Sequence, residues 1–171
     1  MDWHDYFWHF AKFSESDLEI SDRTYTVKTA KGLAWAAWLE KIMVERSLYS
    51  GNPPFINIKL KDDLDLKAGA EAVGLVNTSW MPFVKLYGNL DGEGHTLSNV
   101  VMKDPEDWVI LGGTGFISNL DGTVSNLSLT GLELEIHNSG MGGFGGIVGS
   151  VTSGGIENSS CTGKILIDIQ N

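Results

Sequence analysis

A chain of 171 residues with a formal charge of −10 and only two arginines, Arg23 and Arg46, can bury the core of one domain but lacks the basic surface that nucleic acid requires. Its one cysteine, Cys161, excludes an internal disulfide framework and any multi-cysteine metal site. No apolar run approaches the ~18–20 residues of a transmembrane span. Twenty-one glycines against 4 prolines, dispersed among short apolar runs, indicate many tight turns rather than a flexible linker.

Residues 1–28 crowd Trp3, Tyr6, Phe7, Trp8, Phe10 and Phe13 together, and Phe7, Phe10 and Phe13 share a helical spacing. Met1 leads straight into DWHDYFWHF, which lacks the basic start, apolar run and cleavage site of a signal peptide. The expectation is a cytosolic chain or one that starts after a removed signal. Thr29 to Arg46 predicts a helix with Thr29 as N-cap, and the all-apolar stretch from Leu33 to Leu39 predicts burial on several sides. After Gly51-Asn52-Pro53-Pro54 the period becomes two: Ile56, Ile58 and Leu60 alternate with polar residues, and Leu64 and Leu66 continue the alternation. The chain divides on this reading into 1–54, an aromatic segment with a capping helix, and 55–171, a run of short strands.

That run repeats. LYGNLDGEGHTLSNVVM, GFISNLDGTVSNLSL and GGIVGSVTSGGIENSSC each hold a glycine-bounded strand, a polar turn, and an apolar-x-Asn step before another strand. Thr96-Leu97-Ser98-Asn99 matches Thr123-Val124-Ser125-Asn126, with Ile156-Glu157-Asn158 in the same place. Short strands without a helix must stack copy on copy. The expected fold is therefore mainly β: a right-handed parallel β-helix (solenoid) with an N-terminal capping helix, an ordinary β-sandwich being the rival. Leu97, Val124 and Ile156 would form one inward column, and Met102, Leu129 and Cys161 another. Asn99, Asn126 and Asn158 would occupy equivalent bends, since asparagine tolerates the left-handed region and its amide can bond the next copy. The strand at Ile165, Ile167 and Ile169 has no capping segment after it, so the expectation is either the N-terminal part of a longer protein or end-to-end self-association through the last coil.

GGIVGSVTSGGIENSSCTG, Gly145 to Gly163, resembles the GLUG motif repeated in bacterial surface proteins. Tyr25-Thr26-Val27 with the following helix, Asp62-Asp63-Leu64-Asp65-Leu66, Trp80-Met81-Pro82-Phe83 and Leu90-Asp91-Gly92-Glu93-Gly94-His95-Thr96-Leu97 are similar to further steps of that pattern, in order. The insertion Lys103–Trp108 and Phe116 depart from it. The resemblance implies a secreted or surface-anchored β-helix; its motifs are architectural and do not imply a catalytic activity.

Candidate chemistry is sparse. Asp62, Asp63 and Asp65 form the densest acidic cluster, and Asp63 and Asp65 point the same way on a strand, so they could share Ca²⁺; a solvated strand face is the competing reading. Asp91, Glu93 and His95 on DGEGH read as a glycine-bent turn rather than a metal or acid–base site. His4 and His9 lack metalloprotease spacing, and Gly140-x-Gly142-x-x-Gly145 does not open a helix as a dinucleotide fingerprint must. Cys161 reads as a buried, inert thiol. Trp80 and Trp108 are candidate platforms for sugar rings, Trp108 the better one. Two functions follow: a non-enzymatic extracellular or cell-surface module for adhesion or for binding polysaccharide or a host surface glycan, or a β-helix polysaccharide lyase or glycoside hydrolase. Lyase chemistry pairs Ca²⁺-binding carboxylates with a basic residue, and both arginines precede the repeats.

Overall fold

The computed structural model describes residues 14–75, 79–103, 113–137 and 143–168. The chain opens with an antiparallel hairpin, β1 (Leu18–Ser21) and β2 (Thr24–Val27), and then forms helix α1 (Ala30–Ser50). Thr29 is the N-cap, its hydroxyl accepting the Gly32 amide at 3.0 Å, and that hydroxyl in turn donates to Asp17 at 2.9 Å. Gly51 stops the helix in the left-handed region at φ 71°, four residues beyond the expected end at Arg46.

Short strands follow: β3 (Asn57–Leu60), β4 (Leu64–Asp65), helix α2 (Leu66–Ala72), β5 (Phe83–Leu86), β6 (Asn89–Asp91), β7 (Thr96–Ser98), β8 (Val101–Lys103) and β9 (Gly113–Thr114). The remainder is β10 (Ile117–Leu120), β11 (Thr123–Ser125), β12 (Ser128–His137), β13 (Gly143–Phe144), β14 (Val148–Val151), β15 (Gly155–Glu157) and β16 (Ser160–Asp168). They form four sheets, ordered β1-β2-β3-β6-β11-β15, β14-β10-β5, β16-β12-β7-β4 (with β8 also on β12) and β13-β9.

The expected right-handed parallel β-helix, a continuous solenoid under a lid helix, is corrected by this arrangement. The fold is mixed α/β, with four distinct sheets of unequal size and a buried helix that packs on β1, β2, β5 and α2. The cause lies in α1: Leu33, Ala34, Trp35, Ala36 and Ala37 are all buried, so the helix carries core on several sides and becomes part of the interior.

The alternation called from Ile56 onward is present, with Ile56, Ile58 and Leu60 buried. Of each expected column, only the last two members stack. Val124 pairs with Leu90 and Ile156, while Leu97 pairs with Leu64 and Leu129, so Leu97 and Val124 belong to different sheets. Met102 pairs with Leu134, and Leu129 with Cys161. The TLSN and TVSN segments are alike yet lie on different faces. Between strands, β6 to β7 spans four residues and β11 to β12 only two, which displaces the match by one strand. Leu134 pairs Ile165 and Ile136 pairs Ile167, after a bulge between Leu129 and Leu132 takes up the odd residue.

The glycines at one corner have a steric reason. A Cβ on Gly122 would stand 1.6 Å from the Gly88 carbonyl oxygen, and one on Gly154 1.8 Å from that of Gly122. Neither contact can be relieved by a side-chain rotation, because both partners are backbone. Gly122→Ala is therefore expected to destabilise by roughly 2–4 kcal/mol in urea denaturation, while Gly155→Ala, with open space around it, should leave the midpoint unchanged.

One charged side chain lies deep in the core. Glu40 of α1 is 1% exposed and accepts the Val84 amide at 2.9 Å and the Lys85 amide at 2.8 Å. Burial pushes its carboxyl up to about 7, the two amide bonds opposing the rise. A carboxyl that binds its proton more tightly folded than unfolded stabilises the fold most below its ordinary value near 4.5. That contribution declines as pH rises from about 4.5 to 7, by about 3 kcal/mol. Chemical denaturation across that range should show the decline, and Glu40→Gln should remove it while lowering stability at acid pH.

Candidate functional site

The six-stranded sheet places two rows of polar side chains on its outer face. Its inward residues are Tyr25, Ile58, Leu90, Val124 and Ile156, paired strand to strand. Period-two alternation turns their neighbours outward. One row runs Thr24, Asn57, Asn89, Thr123; the other runs Thr26, Lys59, Asp91, Ser125, Glu157. Strands ~4.8 Å apart bring each row into an evenly spaced line.

The first row is tied together. The Asn89 amide donates to Asn57 Oδ1 at 3.2 Å, and the Thr123 N–H donates to Asn89 Oδ1 at 3.1 Å. In the second row, Asp91 Oδ1 accepts the Glu93 N–H at 2.8 Å and the Asn126 amide at 3.1 Å. Lys59 stands 3.9 Å from Glu93. Together the rows line a shallow trough of about 570 Å³. Two residues before Asn57 and Asn89 come Phe55, which is 56% exposed, and Tyr87, their ring centroids 6.4 Å apart. Lys85 lies 4.9 Å over the Tyr87 ring and 3.4 Å from Asp121. On the far side of Phe55, a smaller hollow of about 280 Å³ is lined by Arg23, Tyr25, Met43 and Pro54 among others.

Amides, hydroxyls and carboxylates in a line beside aromatic rings can exchange hydrogen bonds with a polyhydroxylated ligand and offer its apolar faces a surface. The carboxylates Asp91 and Glu157 share one face, and the described residues that line the trough all belong to this sheet, whereas glycoside cleavage needs two carboxyls flanking the bond.

The sequence candidates lie elsewhere. Trp80 is 2% exposed and stacks on Phe116 with centroids 5.3 Å apart, so its ring is core. Trp108 lies outside the described residues, as do His4, His9, Gly140 and Gly142 of the glycine fingerprint, and Ile169. Asp63 accepts the Thr96 N–H at 2.9 Å and lies 3.2 Å from His95 Nδ1, and the Thr96 bond, with that to His95, holds its carboxyl below the usual carboxylate range. Asp65 is the N-cap of α2, accepting Ala68 N–H at 2.9 Å, and its other oxygen takes the Asn99 amide at 2.8 Å. Among the described residues, no group of three or more His, Cys, Asp or Glu side chains converges on a metal-sized space. Cys161 is exposed, against the expectation of a buried thiol, because β16 is the last strand of its sheet and nothing lies beyond it among the described residues.

The three asparagines each adopt a left-handed backbone, φ 56°, 53° and 44° at Asn99, Asn126 and Asn158. Asn158 donates to Asn126 at 2.7 Å, and Asn126 to Asp91, forming one ladder. Asn99 instead belongs to the corner of Asp65 and Gly131. Sequence reading missed the trough, although Asn57 and Asn89 are identical residues 32 apart, the same interval as Asn126 to Asn158.

No family model, curated protein or solved structure matches the chain.

Because both oxygens of Asp65 and one of Asp63 are engaged by N–H donors and no cluster of three or more ligands forms among the described residues, added Ca²⁺ or excess chelator is expected to leave the melting temperature unchanged. A rise with Ca²⁺ that Asp63→Asn abolishes would contradict that reading.

Proposed function

We propose that the protein is a non-enzymatic extracellular or cell-surface module that binds glycans in the trough of its six-stranded sheet. The observation that carries the reading is the pair of outward rows, Asn57–Asn89–Thr123 and Lys59–Asp91–Ser125, beside the Phe55–Tyr87 rings. Evenly spaced donors and acceptors suit an extended chain of hydroxylated rings, and aromatic faces suit the C–H faces of those rings. The resemblance of Gly145 to Gly163 to the GLUG motif of bacterial surface proteins supports the same setting. No helix among the described residues is long and apolar enough to cross a membrane. A charge of −10 favours neutral over polyanionic glycans. Self-association at the exposed edge strands is a second interaction of the module and needs no glycan.

Incubation with a panel of neutral and acidic polysaccharides, with retention and new chain ends both measured, tests the reading. Retention without new ends is the expected result. Tyr87→Ala combined with Asn89→Ala should weaken binding at least about tenfold with the melting temperature nearly unchanged, since both side chains lie outside the core. Equal binding by that variant, or no retention at all, would overturn the proposal; new ends would favour a lyase or hydrolase.

A further inference from the structure

We propose that two copies associate about a two-fold axis by antiparallel pairing of β16 with β16, Leu166 facing Leu166. This deepens the self-association reading above and is independent of glycan binding.

β14, β15 and β16 are consecutive in the chain, and each is the terminal strand of its sheet. Among the described residues nothing pairs with their outer edges, so they present a row of amides and carbonyls that is a template for another strand. Apolar side chains are exposed there: Val151, Ile156 and Ile165 are 43–49% exposed, although their partners one strand inward, Leu120, Val124 and Leu134, are buried, and Leu166, which lies beside Glu135 on the outward side, is 57% exposed. Such a surface favours a partner with its own strand edge and its own apolar row.

The register of β16 identifies that partner as a second copy. In an antiparallel pair centred on Leu166, Lys164 stands directly opposite the second copy's Asp168, twice by symmetry. Ile165 stands opposite the second copy's Ile167. Directly opposed residues point to the same face, with Cβ atoms ~4.5–5.5 Å apart, and opposite charges in that position attract. Lys164 and Asp168 form no ion pair within the chain among the described residues, so both are free for this contact. Pairing with Glu133 and Glu135 on β12 fixes the outward side of the strand, and Lys164, Leu166 and Asp168 fall on it together, while Ile165 and Ile167 continue the inward side. A two-fold interface needs this kind of self-complementary pattern. Parallel pairing, the mode used inside the sheets, would set Lys164 beside Lys164 and Asp168 beside Asp168.

Sedimentation velocity over a concentration series reads the outcome on the full chain. Wild type should form a dimer. Lys164→Asp and Asp168→Lys, each placing like charges opposite, should raise the dissociation constant at least about tenfold, and the double exchange should restore it to near wild type. All are exposed positions, and unchanged melting of the singles at low concentration would show that folding is intact. A dimer indifferent to both single changes, or one that the double exchange does not rescue, would overturn this register while leaving self-association standing. A monomer at every concentration would overturn both.

Discussion

The Glu40 carboxylate is the contact on which the joining of helix and sheet depends. β5 is the last strand of the three-stranded sheet, and an edge strand buried against a helix would leave amides without acceptors. Glu40 supplies two oxygens for Val84 and Lys85, doing with one side chain what a neighbouring strand would do with its carbonyls. The arrangement carries a cost, because a carboxylate is desolvated to make it, and the raised proton affinity is that cost made visible. Losing the side chain would leave two buried amides unsatisfied, which is worse than the burial itself.

Around that junction the apolar interior is continuous. Leu33, Ala36 and Ala37 of the helix, Phe83 and Leu86 of β5, and the Trp80–Phe116 stack belong to one cluster with Leu90, Leu97, Val124 and Leu129. Small residues on the helix let it approach closely: a Cβ on Gly32 would fall 2.0 Å from the Asp17 carbonyl oxygen. Asp17 then ties the hairpin to the helix start through Thr29 and Lys31. Capping, close packing and the buried carboxylate all act at the same end of the molecule.

The opposite end and the outer face are where interaction is available. Corner asparagines and glycines hold the strands in register, which keeps the rows of the trough aligned and leaves the side chains of β3, β6 and β11 facing outward as a set. The same pairing, where it stops at β14, β15 and β16, leaves Val151, Ile156 and Ile165 exposed although their partners one strand inward are covered. One construction principle thus yields both a ligand-facing surface and an adhesive edge.

Local signals in the chain determined local structure. Thr29 and Gly51 bound the helix, the alternation at Ile56, Ile58 and Leu60 gives a strand, and the left-handed asparagines sit at bends, because each depends on backbone preference or period alone. Register was not legible: TLSN and TVSN look equivalent, but a loop two residues longer before Thr96 moves one of them to another sheet. The site suffered for the same reason, since aligning Thr123 with Thr96 hides its true neighbour, Asn89. Trp80 likewise reads as an exposed ring until Phe83 and Phe116 close over it. Tertiary structure alone decided the role of Glu40, the division into four sheets and the trough, because each brings together residues about 32 to 45 positions apart whose meeting no local preference encodes.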